Sequence, residues 1–420
     1  MPRADLVVYN IGELVTFRGG PTPRPSPETA GILRNAAVAF RGGRIIEVGP
    51  TGWIRARYSA PEWVDAGSRL ATPGLVDMHT HALFAGSRED EFEAKLMGAS
   101  YSEILARGGG IYRTIEATRR SSRRELLRLL LERLYRMLEG GTTVVEVKTG
   151  YALEPRLEVE HLSIIREAGG LTPQLVVPTL LAHVPPREGD RGAYIESFKA
   201  AIREAARRRL AVYFDVFCDR GAFTPEESKA LLLEAHRAGL RLRMHADQLE
   251  YMGCSLVAAE AGVDSVDHLE VMPPENATAL AKARVVAGLL PTSILAMMQA
   301  ERPPVDSLRR AGVPIAVGSD YNPNNMTPLA QTAMQVAPYI LKLTPMEALA
   351  AVTVNAAASL GLEGVSGRVA PGFRGDLVVW DAEDYRWLTY EWGWNKALYV
   401  IAAGRVVVSE SRLIVKPVLM

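Results

Sequence analysis

The chain has 420 residues, 48% of them hydrophobic, and 48 basic side chains balance 48 acidic ones, so its formal net charge is +0. A chain of this length can bury a large core, and it has no global field to draw in nucleic acid or an anionic membrane. Cys218 and Cys254 are the only cysteines, too few for a disulfide framework, and no apolar run after a charged start reads as a signal peptide or a membrane span. A soluble cytoplasmic protein is expected, with Cys218 as a buried structural thiol.

Short apolar runs separated by Gly and Pro fill residues 1–66: DLVVYN, AAVAF and RIIEVG, with GGPTPRPSP as a turn. That texture predicts β-hairpins. It returns near the end in GDLVVWD, ALYVIAAG and RVVVSE. Both termini are therefore expected to combine into one small β-sandwich domain, residues 1–66 with 370–420.

Between them, over residues 67–369, strand-like runs alternate with longer helical patterns. This predicts an α/β fold built on a parallel sheet or barrel. The candidate strands in chain order are GLVDMH, TTVVEVK, QLVVPTLL, AVYFDVF, LRLRMH, SVDH, RVVAGLL and PIAVGSD, and the helices include PEESKALLLEAHRAGL and SLVAAEAG. Eight such units close a TIM-type (β/α)8 barrel, whose reactive groups gather at the carboxyl ends of the strands. The Arg-rich stretch TRRSSRRELLRLLLERLYRMLEGG has leucines at helical spacing and glutamates among its arginines. It reads as an amphipathic helix with one face on the core rather than a nucleic-acid patch.

Five of the seven histidines, His79, His81, His183, His245 and His268, fall at or just beyond the ends of these runs. His161 and His236 lie inside helical patterns and receive no functional role. Residues two apart in a strand point to one face, so His79 and His81 can aim both imidazoles at one point. That pairing alone is a weak metal signal. His245 and Asp320 strengthen it, because each ends an apolar strand where an unpaired ionisable group is costly to bury. Three imidazoles and one carboxylate form a mixed shell suited to one divalent metal ion, Zn or Fe(II).

This set resembles the amidohydrolase superfamily, whose pattern is His-x-His after the first barrel strand, His after the fifth and sixth, and Asp after the eighth. The motifs PGLVDMHTHALFAGSREDEFE, SYSEILARGGGI, EVKTGYAL, AHVPP, HADQ, DHLE, SDYNPN and TVNAAASLG are similar to the branch that opens the imidazolone ring of histidine breakdown, over nearly the whole chain. The resemblance implies His79, His81, His245 and Asp320 as ligands of a single metal. It implies substrate contacts at Arg88, Tyr151, His183 and Gln248, with Asn322 lining the glutamate-like part of the product and Asn324 also in the substrate site. Water would add to the carbonyl of 4-imidazolone-5-propanoate and the ring C–N bond would break. Asp320 would carry the proton, and His268 would hydrogen-bond the water or the oxyanion. The Arg88 fork suits a propionate carboxylate, its alternative being a surface ion pair with Glu89 or Asp90.

No lysine ends AVYFDVFCD, where two-metal members of the superfamily place a bridging one. Gln248 stands where some members carry Glu, which leaves it recognition rather than proton transfer. Asn324 and Asn325 replace a Gly followed by Ser or Thr, and Asn324 is expected to supply the positive φ of that Gly. The likeness also implies a homodimer acting on a small molecule, and the zero net charge leads to the expectation of no nucleic-acid or membrane partner. The alternatives are another one-metal amidase or deaminase, and a non-catalytic assembly protein of the same fold.

Overall fold

The computed structural model describes residues 1–98 and 109–415. Most of the SYSEILARGGGI motif lies outside the described residues. Eight parallel strands pair in chain order: Leu75–Asp77, Thr142–Lys148, Leu175–Ala182, Tyr213–Cys218, Arg241–Ala246, Ser265–His268, Val286–Leu289 and Ile315–Val317. Each falls within or against the run that predicts it, and helices between them cover the outside, as in a TIM-type barrel. The first and eighth strands meet just beyond their ends. There the amide of Asp320 donates to the His79 carbonyl at 3.0 Å, and the amide of His81 donates to the Tyr321 carbonyl at 2.9 Å. The closing seam therefore runs through three of the predicted metal ligands.

The helices start and stop where their sequences dictate. Pro225–Arg237 begins with a capping box between Thr224 and Glu227 and a proline in the first turn, which satisfies amide groups that have no partner within the helix. Arg123–Glu139 is capped by Ser122 and buries Leu126, Leu127, Leu130, Leu131 and Leu134 on one face. Arg133 shares that buried face. Its guanidinium donates to the carbonyls of Ala82 (2.8 Å) and Phe84 (2.6 Å) and sits 3.5 Å from the centre of the Phe84 ring. The side chain thereby pins the segment that follows His81.

A nine-stranded sheet draws on both ends of the chain. Leu6–Val15 pairs antiparallel with Ile32–Arg41 and parallel with Leu70–Pro73, which pairs in turn with Leu377–Trp380. Leu70–Pro73, inside the stretch expected to belong to the barrel, thus lies in this sheet before the chain enters the barrel at Leu75. Among the described residues no helix is long and apolar enough to cross a membrane.

The expected free thiol at Cys218 is corrected: Cys218 and Cys254 form a disulfide. Cys218 ends the fourth barrel strand and Cys254 opens helix Cys254–Ala261, next to one another in space although separated by 36 residues in sequence. Their spacing carries no sign of this. Closing a loop of that length restricts the unfolded chain by about 4 kcal/mol on the chain-entropy argument. Replacing both cysteines by serine is accordingly predicted to lower the denaturant midpoint, and a reductant to do the same to the native protein. A midpoint unmoved by either change would mean that the bond does not form.

Candidate active site

The imidazoles of His79, His81 and His245 converge at the carboxyl ends of the barrel strands and are buried. Their Nε2 atoms lie 3.3 Å (His79 to His81) and 3.4 Å (His245 to His81) apart. A carboxylate oxygen of Asp320 lies 3.6 Å from His79 Nε2 and 3.5 Å from His81 Nε2. Behind them, His79 Nδ1 is 2.7 Å from Asp267, and His245 Nδ1 is 3.0 Å from Asp215. A carboxylate only accepts, so each Nδ1 carries the proton and each Nε2 keeps its lone pair. Burial, with Lys148 and the neighbouring imidazoles, holds His79 well below the ordinary imidazole range. His81 is held down likewise by burial, His183 and His245. The Nε2 lone pairs of His79 and His245 beside the neutral His81 ring, together with the Asp320 carboxylate, form a cation site, and the donor set fits a divalent metal.

Charge supports the same fit. Lys148 Nζ lies 2.8 Å from Glu146 and 2.7 Å from Asp215, and Arg243 donates to Asp267 at 2.8 Å, all fully buried inside the barrel. Asp77 is pushed up to about 7 by burial. Burial works against the charge of His268, but Glu270 and Asp320 outweigh it and hold the ring at about 9. Lys148 and Arg243 thus share Glu146, Asp215 and Asp267, and the Asp320 carboxylate beside His79 and His81 has neither of these cations as a partner among the described residues. A cation at the cluster would supply the charge that a buried carboxylate needs.

Asp320 and His268 both have positive φ, 48° and 82°. Non-glycine residues adopt such angles when the surrounding structure enforces them, and functional sites collect them. Asp320 is held so by the seam bond to His79 and by Asn325, whose side-chain amide donates to the Asp320 carbonyl.

Above the cluster opens a cavity of about 460 Å³ whose lining includes His81, His245, His268 and Asp320, and also Arg88, Tyr151, His183, Gln248, Asn322 and Asn324. The six residues expected to contact substrate thus share one wall system with the proposed metal ligands. His183 stacks on His81 at 5.3 Å between ring centres. Its Nδ1 donates to the Gly150 carbonyl at 3.1 Å, and burial holds the ring at about 3, so it is neutral and presents Nε2 as an acceptor. Burial raises the Tyr151 hydroxyl and keeps it a donor. Arg88 donates to Thr114 at 2.9 Å, while Asp90 is taken by Arg113 at 2.6 Å. Among the described residues Arg88 has no ion pair with Glu89 or Asp90. The backbone amide of Gln248 is anchored on Asp219 at 2.8 Å.

Asn324 corrects its expectation. It is not among the residues with positive φ. Instead Asn322 Oδ1 accepts from the amides of Asn324 (2.8 Å) and Asn325 (3.2 Å), which turns the loop without the glycine conformation. Asn324 is left to accept from Lys95 Nζ at 2.6 Å.

Sequence reasoning assigned no role to Glu146, Asp215, Arg243, Asp267 or Lys95. Glu146, Arg243 and Asp267 had a usable signal. Glu146 and Lys148, Arg243 and His245, and Ser265 and Asp267 are pairs two residues apart in otherwise apolar strands, the spacing of groups that share the barrel interior.

This geometry agrees with what the chain resembles. The sequence model of the amidohydrolase family matches residues 70–409. An adenosine deaminase from Xanthomonas campestris solved with bound zinc has the same fold, with a TM-score of 0.74 at 18% identity, covering 99% of this chain and 95% of that one. An atrazine chlorohydrolase from Arthrobacter aurescens complexed with zinc gives 0.72 at 15% identity, with 98% and 97% covered. Closer in sequence is an imidazolonepropionase from Pyrobaculum arsenaticum, 46% identical over 95% of this chain and 98% of that protein. One from Chloroflexus aggregans is 40% identical over 97% and 100%. The chain belongs to the amidohydrolase family and, within it, to the imidazolonepropionases.

The carboxylates behind the imidazoles lead to a prediction. Asp267→Asn, which weakens the hold on His79 and leaves Arg243 without its anion, is expected to lower affinity for zinc ten- to hundredfold in competition with a chelator. Wild-type affinity in that variant would show that Asp267 does not set the ligand.

Proposed function

We propose that this chain hydrolyses 4-imidazolone-5-propanoate to N-formimidoyl-L-glutamate, with one divalent ion, zinc or iron(II), held by His79, His81, His245 and Asp320. The observation that carries the reading is the buried cluster of imidazoles and carboxylate at one end of a cavity that also presents Arg88, Tyr151, His183 and Gln248. The relatives' names support the substrate. A cation in that cluster supplies electrophilic polarisation of the amide carbonyl and lowers the pKa of water towards about 7.

The side chains do the rest. Arg88 holds the propanoate carboxylate in its fork. The neutral His183 accepts a ring N–H, and the protonated Tyr151 hydroxyl and the Gln248 amide orient the ring. Asp320 accepts the proton of the attacking water as its oxygen bonds to the carbonyl carbon. As the ring C–N bond breaks, Asp320 returns that proton to the departing nitrogen. His268, protonated by virtue of Glu270, donates to the oxygen that gains charge. We also propose a cytoplasmic homodimer, on family likeness.

Loss of absorbance from freshly made substrate tests the reading. Asp320→Asn is expected to lower kcat by a hundred- to ten-thousandfold. Undiminished turnover in that variant would remove the proton carrier, and faster turnover of hydantoins or aminated bases than of the imidazolone would overturn the substrate.

A further inference from the structure

Arg88 is followed by helix Glu89–Leu96. Glu91 and Lys95, four apart, share one helix face, Arg88 stands at the N-terminus of that helix, and all three line the cavity. Glu91 is already engaged: it is buried, accepts from the Gly110 amide at 2.9 Å and lies 3.9 Å from Arg113. The two cations are differently placed. Arg88 donates to the hydroxyl of Thr114, and Lys95 to the side-chain oxygen of Asn324. Both partners are neutral, and among the described residues neither cation forms an ion pair. Burial of Lys95, followed by the nearby charge of Arg88, disfavours its ammonium form. Two like charges facing one cavity over neutral partners are a cost that an anion in the cavity relieves.

We infer that Lys95 is a second cationic anchor which, with Arg88, selects substrates for a carboxylate on the side chain of the reacting ring. This rests on the reading above and assigns a specificity role to a residue outside the set already given. An ammonium has three donors, so Lys95 can keep its bond to Asn324 and still reach a carboxylate oxygen while Arg88 takes the other. Asn324 fits this role because it is neutral. A carboxylate there would pair with Lys95 and repel the ligand.

The test separates anchoring from turnover. Imidazole-4-propanoate keeps a ring and a carboxylate but has no amide to open. It and its uncharged carboxamide are titrated calorimetrically into the metal-loaded wild type and into Lys95→Met, Lys95→Arg and Asn324→Asp. The wild type is expected to prefer the propanoate. Lys95→Met should weaken propanoate binding about tenfold or more, the scale of a hydrogen bond to a charged group, and carboxamide binding less than threefold. Lys95→Arg should retain most of the preference, and Asn324→Asp should lose it. Equal binding of the two compounds to the wild type, or equal losses in Lys95→Met, would overturn the anchor. Selective binding without imidazolone hydrolysis would instead count against the proposed reaction and leave the anchor standing.

Discussion

Two buried carboxylates, Asp215 and Asp267, decide what the histidines of this barrel can do. By accepting from the Nδ1 of His245 and His79 they commit each ring to one tautomer, and the opposite nitrogens are left as lone pairs facing the Asp320 carboxylate. The same two carboxylates are partnered by Lys148 and Arg243 in a water-poor interior. Against the burial that raises it, His245 and Lys148 keep Asp215 well below the ordinary carboxylate range. A divalent cation held by the cluster suits an interior so rich in carboxylates.

Barrel closure and site assembly use the same bonds. The strands that begin and end the barrel are three residues each, Leu75–Asp77 and Ile315–Val317. The backbone bonds that join them run through His79, His81 and Asp320. Asp320 sits in a left-handed conformation because this seam, together with Asn325, fixes it there. Arg133, reaching from the helix outside, holds the carbonyls of Ala82 and Phe84 and so the exit from His81. The disulfide from Cys218 to Cys254 brackets the segment that presents Gln248, and Asp219 ties that segment's amides. Rigidity of this kind suits a site that must hold reacting groups within a fraction of an ångström.

Much of this was readable in the sequence, because strand runs and helical periodicity repeat through the barrel and the ionisable residues cluster at the ends of the runs. The limits have physical reasons. GLVDMH and PIAVGSD predict strands that reach the ligands, whereas regular pairing stops at Asp77 and Val317 and the ligands lie on the extended and bent backbone beyond. The tautomer-setting contacts join residues from different strands, so periodicity suggests an inward polar side chain but not its partner. The cysteine pair depends on a strand end meeting a helix start. At Asn324, residue type suggested a left-handed backbone, and a hydrogen bond from its own amide to the Asn322 side chain made that conformation unnecessary.

The most direct measurement is anomalous X-ray scattering from crystals of the zinc-loaded protein. The account predicts a single peak per chain, bounded by Nε2 of His79, His81 and His245 and a carboxylate oxygen of Asp320. A strong peak elsewhere in the barrel, a pair of peaks bridged by other side chains, or no peak at these four residues would contradict it.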